Sequence, residues 1–408
     1  MTRKSIWLLF LLICLPLTAC EQNATDPVPR DETRALTTDE KDLVASGNAF
    51  GHSLFKAIAT SQPDSNLFIS PLSVSMALGM ALNGAAGATY QEMQSTLELH
   101  GLTQEQINSA FHDLIELLIR LDPEVVVKIA NSIWIREHYP VLPEFIQVNQ
   151  TYFDAATQEL DFSLPEAVNI INGWIEDNTN GLIVDALDRI DPLAVLYLIN
   201  TIYFKGTWTT QFDPEHTFDT WFTNINGSMT PCRMMNLETD LNYFECDDFQ
   251  AVDLPYGNGK FSMTILLPVG DNTVADIVAQ LDSETWDDWM GRFEKTELIV
   301  GLPRFKLEYG LLLNDALAAL GMPSAFTAGA DFSRIVAERE LFINRVIHKT
   351  FVEVDEEGTE AAAVTIVEFR ETAIGTAMCM NRPFVFVIRE NHSGSLLFMG
   401  ALVDFPTE

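Results

Sequence analysis

Two runs, VVVKIANSIWI at 125–135 and AVLYLINTIYF at 194–204, constrain the fold of this chain more than any other feature. Both are apolar or β-branched and contain neither glycine nor proline. Such runs suit strands covered on both faces at the centre of a sheet. KFSMTILLP (260–268), ELIVGLPRFKLEY (297–309) and RPFVFVIRE (382–390) read as further strands. Apolar residues recur at helical spacing over 42–60 and 104–120. At 70–82, SPLSVSMALGMAL opens on a Ser-Pro helix start and is apolar all round, which predicts a deeply buried helix. Shorter helices are expected near 142–153, 166–177 and 311–320. Strands and helices mix without regular alternation, and no internal repeat appears. Residues 41–408 therefore read as one large α+β domain of sheets covered by helices.

The ends of the chain differ in chemistry. Arg3 and Lys4 precede an apolar run from Ile6 to Ala19, too short to span a bilayer and patterned as a secretory signal. Its end, Leu17-Thr18-Ala19-Cys20, resembles a bacterial lipoprotein signal in which Cys20 is lipidated; the alternative is an ordinary cleavage site with Cys20 incidental. Residues 1–19 are then a signal peptide. The polar, Pro-containing residues 20–40 are a lipid-anchored flexible linker that holds the domain outside the cytoplasm, on the outer membrane or cell surface if the cell is a diderm bacterium and otherwise extracellular. The formal net charge of −34 opposes binding to nucleic acid or to anionic membrane surfaces. The 104–120 helix carries a single Lys or Arg, Arg120, so a heparin-type activator is not expected.

A search for catalytic groups finds little. Gly-x-Ser-x-Gly and HExxH are absent. Gly257-Asn258-Gly259-Lys260 lacks the frame of a phosphate loop and reads as a turn before a strand. There is no CxxC, and neither a metal nor a cofactor is expected. Cys232, Cys246 and Cys379 remain in the domain. Cys232 and Cys246 are read either as a bridge or, like Cys379, as isolated thiols. His348 lies in the strand-like VIHKTFVEV and reads as a hydrogen-bonded core histidine. Ser70, Ser73 and Asn200 also sit in apolar contexts, where an unpaired polar group costs about 1–3 kcal/mol. A buried network among these four would satisfy them together.

These residues carry a family resemblance. NLFISPLS (66–73), NTIYFKGTW (200–208), VDLPY (252–256), His348-Lys349, EEGTEAAA (356–363), NRPF (381–384) and FMG (398–400) resemble successive serpin motifs, in serpin order, across nearly all of residues 41–408. The resemblance implies three β-sheets, about eight or nine helices and an exposed reactive-centre loop at about 356–380. It implies a monomeric inhibitor, not an enzyme. Ser70, Ser73, Asn200 and His348 fall where serpins hold the central sheet shut, and Trp208 falls where its top opens first. Glu356 and Arg304 match a charge pair at the base of the loop.

The implied mechanism is suicidal. A serine protease, with a cysteine protease as the alternative, cleaves the loop and forms an acyl-enzyme; the cut loop then inserts into the central sheet and distorts the protease. Period-two alternation puts Thr359, Ala361, Ala363, Thr365 and Val367 on one face, small and uncharged where insertion starts. Glu360, Ala362, Val364, Ile366 and Glu368 share the other. A non-inhibitory serpin acting in binding, chaperoning or structure is the alternative, but Gly358 to Ala363 holds nothing that blocks insertion. An envelope hydrolase is a remote third reading without a nucleophile constellation. Counting from Gly358 and back from Pro383 puts the reactive bond at Thr372–Ala373, which suits elastase- or subtilisin-like pockets. Cleavage at Arg370–Glu371 would instead suit a trypsin-like enzyme, and Phe369 is a further candidate for a chymotrypsin-like target.

Overall fold

The computed structural model describes residues 34–337, 341–359 and 376–406. Ala35–Glu408 forms one compact unit. Its helices, among the described residues, are α1 (Thr38–Ser61), α2 (Pro71–Leu82), α3 (Gly87–Thr96), α4 (Gln104–Arg120), α5 (Pro143–Phe153), α6 (Glu166–Asn178), α7 (Val274–Gln280), α8 (Ser283–Gly291) and α9 (Asn314–Leu320). Its strands are β1 (Leu67–Ile69), β2 (Val125–Arg136), β3 (Ala156–Leu160), β4 (Leu196–Gly206), β5 (Phe218–Thr223), β6 (Met229–Glu245) and β7 (Phe249–Tyr256). They continue as β8 (Phe261–Pro268), β9 (Glu294–Pro303), β10 (Phe305–Leu312), β11 (Ile347–Val354), β12 (Thr376–Cys379), β13 (Phe384–Glu390) and β14 (Leu396–Leu402).

Three sheets result. The largest has the order β1-β14-β13-β8-β7-β6-β9-β12, with β5 added to β6. The other two are β3-β2-β4 and the antiparallel pair β10-β11. The expected α+β class is what the chain adopts. The main core lies between the large sheet and α1, α2 and α4, where Phe50, Phe55, Phe68 and Phe386 are fully buried. A smaller cluster under α6 gathers Trp134, Phe162 and Ile171.

Local chemistry explains the boundaries. Ser70 caps α2 by accepting a hydrogen bond from the Ser73 N–H, with Pro71 at the first helical position. Thr37 and Glu40 form a capping box, so α1 starts at Thr38 and the last residues assigned to the flexible linker are helical. The run 297–309 is two strands rather than one. It breaks at Arg304, whose N–H donates to the Arg233 carbonyl between β9 and β10. The helix expected at 311–320 starts only at Asn314, because β10 runs on to Leu312.

β8 is buried along its whole length, as its sequence predicts. β4 is not. It pairs with β2 along one edge from Leu196 to Gly206, but its residues 196–200 are only half-buried. Read as a central strand, β4 has no strand on its second edge among the described residues. That vacancy positions the functional site.

Candidate functional site

β4 and β11 face each other across a gap. β11 pairs with β10 through one edge only. Between β4 and β11 lies a cavity of about 200 Å³ lined by Leu198, Asn200, Thr201, Ile347, His348 and Thr350, among others. The Asn200 Oδ1 and Thr201 Oγ1 atoms are buried there without a hydrogen-bond partner. Buried polar atoms in that state are uncommon and costly, so each marks a place where a donor or acceptor would be welcome.

The gap is closed at one end. The Gly358 backbone bridges Thr207 in antiparallel fashion, and Thr359 bridges Val354 in the same sense. The Thr359 N–H donates to the Gly206 carbonyl at 2.8 Å. Thr359 thus sits between the last residue of β4 and the last residue of β11, only 5% exposed. Its hydroxyl lies 2.9 Å from the Tyr256 hydroxyl. Burial raises the Tyr256 hydroxyl well above its ordinary value, so it stays protonated. Tyr256 stacks on Trp208 at 4.3 Å between ring centroids. Trp208 ties the turn before Thr359 on two sides: its N–H donates to the Glu357 carbonyl at 2.8 Å, and its Nε1–H donates to the Asp355 carbonyl at 2.9 Å.

Glycine at 358 is required by this close approach. A Cβ there would stand 2.0 Å from the Gly206 carbonyl oxygen. Its φ of +157° also falls where side chains are disfavoured. Three residues earlier in the turn, Asp355 accepts from the N–H groups of Glu357 and Gly358. The Glu356 side chain is buried. It accepts from the Thr217 hydroxyl at 2.7 Å and lies 3.4 Å from Arg304 Nε.

Behind the gap, the four polar residues form a chain rather than a closed network. The Ser70 N–H donates to His348 Nε2 at 2.9 Å, and the Ser70 hydroxyl donates to the Leu397 carbonyl. The Ser73 N–H donates to the Ser70 hydroxyl, while the Ser73 hydroxyl reaches the Asn200 carbonyl at 3.5 Å. The Asn200 amide donates to Asn131 Oδ1 at 2.8 Å, not to His348. The expectation that the four would satisfy one another is thus corrected. They are linked in sequence but do not satisfy one another fully, and Asn200 Oδ1 is left over. Burial pushes His348 down to about 4, so the ring is neutral and acts as an acceptor.

Cys232, Cys246 and Cys379 are all free thiols, so the Cys232–Cys246 bridge does not form. Burial pushes Cys232 up to about 11, which suppresses its thiolate. The lipidation candidate Cys20, the hinge residues Glu360, Ala361, Ala362 and Ala363, and both reactive-bond candidates, Thr372–Ala373 and Arg370–Glu371, lie outside the described residues, as does Phe369. Three contacts had no advance signal. Tyr256 was legible only as part of a motif, while Asn131 and Thr217 sat unremarked inside their segments. A buried tyrosine hydroxyl requires a partner, but sequence does not say which residue supplies it.

The pairs β2–β4 and β10–β11 thus stand on either side of a slot, with the segment Asp355–Thr359 fixed at its mouth. A family model described as Serpin (serine protease inhibitor) matches residues 45–405. Human neuroserpin is 33% identical over 367 residues, covering 87% of this chain and 90% of the relative. Human leukocyte elastase inhibitor is 35% identical over 373 residues, covering 88% and 98%. Among solved structures, a thyroxine-binding globulin complexed with thyroxine superposes with a TM-score of 0.83 at 27% identity, over 90% of this chain and 100% of that one. The thermophilic serpin tengpin in its native state gives 0.80 at 30% identity, over 92% and 96%. The chain belongs to the serpin family. It is accordingly a protein of the protease-inhibitor class and not an enzyme, which removes the hydrolase reading.

Proposed function

We propose that this serpin is a suicide-type inhibitor that traps an endopeptidase as a covalent acyl-enzyme by drawing its cleaved loop into the slot between β4 and β11. Strand addition of this kind is established behaviour for the serpin family. The observation that carries the reading here is the register at the slot mouth. Thr359 already lies antiparallel to both flanking strands, opposite Gly206 on one side and Val354 on the other. A strand continuing from it steps down one residue per partner on each side. That register brings Thr365 opposite Asn200 and His348 at once, on the inward face with Thr359. A hydroxyl there would meet the unpartnered Asn200 Oδ1.

In the proposed reaction the protease nucleophile attacks the Thr372 carbonyl. The bond to the Ala373 nitrogen breaks and the new amino terminus leaves. The ester between protease and Thr372 remains. Insertion then carries the protease along and removes its oxyanion donors from position; loss of one such donor alone slows hydrolysis about 10²–10³-fold. Fourteen new strand residues at about 0.5–1.5 kcal/mol per hydrogen bond supply on the order of 10 kcal/mol.

Elastase- or subtilisin-like enzymes fit a small P1-type side chain such as Thr372, and the similarity to leukocyte elastase inhibitor lends that choice support. Cleavage at Arg370–Glu371 by a trypsin-like enzyme is the second reading. The test is incubation of the purified chain with elastase, subtilisin and trypsin. An adduct that survives denaturant supports inhibition; cleavage of the loop by all three without an adduct supports a non-inhibitory serpin. The leader supports a further part of the proposal, attachment to a cell envelope through lipid on Cys20. Incorporation of labelled fatty acid that Cys20→Ala leaves unchanged would refute it.

A further inference from the structure

The bridges at the slot mouth also fix what the second face of an added strand would meet. Carried down one residue per partner from Thr359, the register sets position 368 opposite Tyr197 on β4 and Arg345, just before β11. Period two puts position 368 on the face away from Thr359 and Thr365. On the flanking strands that face is turned towards α6, because Tyr197, Ile199 and Ile347 pack on the cluster of Ile171 and Ile175. Position 366 comes between Ile199 and Ile347, and the sequence places Ile366 there. Position 368 comes between a guanidinium and a phenol, and the sequence places Glu368 there.

Both groups are engaged by the segment between α6 and β4, whose Ile183, Ala186 and Leu187 line the cavity. Arg345 Nη1 donates to Asp188 Oδ1 at 3.1 Å, and the Tyr197 hydroxyl accepts from the Asp191 N–H at 3.1 Å. On the β11 side, Lys349 Nζ donates to the Asp185 carbonyl and the Asn344 amide to the Asp191 carboxylate. On the other side, Arg136 donates to the carbonyls of Pro192 and Leu193. The Asp188 side chain is 68% exposed, so its pair with Arg345 is weak and open to exchange. Burial raises the Tyr197 hydroxyl above its ordinary value, with the Arg345 charge acting in the opposite sense across the slot. The phenol therefore stays protonated, and its own hydrogen is not used by the Asp191 bond.

We infer, on the inhibitory reading, that Arg345 and Tyr197 are positioning residues: they receive the Glu368 carboxylate and set the depth at which the inserted loop comes to rest, with Arg345 exchanging Asp188 for Glu368. A carboxylate between a guanidinium and a phenol accepts from both. Beneath the α6 segment it is screened less by salt than Asp188 is at the surface. The other acid on this face, Glu360, comes opposite Lys205 and Glu353, one charge of each sign, and gains no comparable match. The match at 368 is specific to the register. A strand slipped by two residues would set Ile366 against the guanidinium and Glu368 between Val195 and Ile343, where a carboxylate has no partner. Glu368 lies four residues before Thr372, so seating it completes the withdrawal of the esterified end.

The test uses the full chain and whichever of elastase, subtilisin and trypsin the parent traps. Arg345→Ala should raise the inhibitor consumed per protease inactivated about threefold or more, the effect of losing even one modest ion pair on the insertion barrier. Asp188→Ala breaks the same pair from the other side and leaves Arg345 for Glu368, so its consumption should not exceed the parental value. In the loop-cleaved protein, Glu368→Arg should lower the denaturant midpoint, and Arg345→Glu added to it should restore the midpoint. Glu368→Arg should leave the midpoint of the intact protein unchanged. Parental consumption by Arg345→Ala, an equal rise with Asp188→Ala, or a charge swap that restores nothing overturns the positioning role while adduct formation leaves the inhibitory reading intact. A parent that traps none of the three overturns both.

Discussion

Thr359→Arg tests the insertion argument at its first step. Thr359 is buried at the slot mouth, with its hydroxyl 2.9 Å from Tyr256 and its N–H bonded to Gly206. Arginine loses the hydroxyl contact, worth about 0.5–1.5 kcal/mol. A guanidinium held there without a carboxylate adds a penalty of several kcal/mol, so the hinge leaves the slot. If insertion requires the hinge in place and its barrier rises by about 3 kcal/mol, insertion slows about 100-fold. Hydrolysis of the acyl-enzyme is the protease's own chemistry and keeps its rate. The variant is therefore consumed as a substrate. The assay is titration of residual protease activity, with the denatured mixture resolved into adduct and cleaved inhibitor. The ratio of inhibitor used per protease inactivated should rise many-fold for Thr359→Arg and stay near parental for Thr359→Ser. A parental ratio for Thr359→Arg would refute the reasoning.

Gly358→Ala drives a Cβ against the Gly206 carbonyl, so the thermal midpoint of the intact protein should fall by the equivalent of about 1–3 kcal/mol; an unchanged midpoint would mean the turn is not fixed as described. Thr365→Val should lower the stability of the loop-cleaved protein by about 1–2 kcal/mol and leave the intact protein alone, because the proposed contact with Asn200 exists only after insertion. Equal effects on both forms would contradict the register. Acid should weaken the intact fold. Burial holds His348 and His52 near 4, against about 6.5 in an unfolded chain, so below pH 6.5 the unfolded state takes up protons that the folded state refuses. Stability is full above pH 6.5 and falls towards pH 4, by up to about 3 kcal/mol per histidine. His52→Phe, which removes two unpartnered ring nitrogens, should flatten part of that slope in denaturant titrations from pH 7 to 4.

Much of the core was legible because apolar runs leave few choices. SPLSVSMALGMAL could only be a buried helix, and β8 could only be a covered strand. Short polar elements were not legible: α3 is half hydrophilic, and α7 and α8 are too brief to show a period. The break at Arg304 was hidden because an apolar pattern continues through it while the backbone changes sheets. β4 gives the most instructive difference. Its sequence is that of a strand buried on both sides, and it stands half-covered beside a cavity. A sequence records the environment a segment is suited to, and under the proposed insertion that environment for β4 includes the added strand. The polar chain from His348 to Asn200 was foreseeable as buried, but its connectivity depends on backbone groups that no pattern reveals.

Covalent trapping with mapping of the cut tests the central claim most directly. The account predicts a denaturant-resistant adduct with elastase or subtilisin, and mass spectrometry should find a released carboxy-terminal peptide that begins at Ala373. A peptide beginning at Glu371 would move the bond to Arg370 and the target to a trypsin-like enzyme. Complete cleavage by every protease with no adduct would contradict the account.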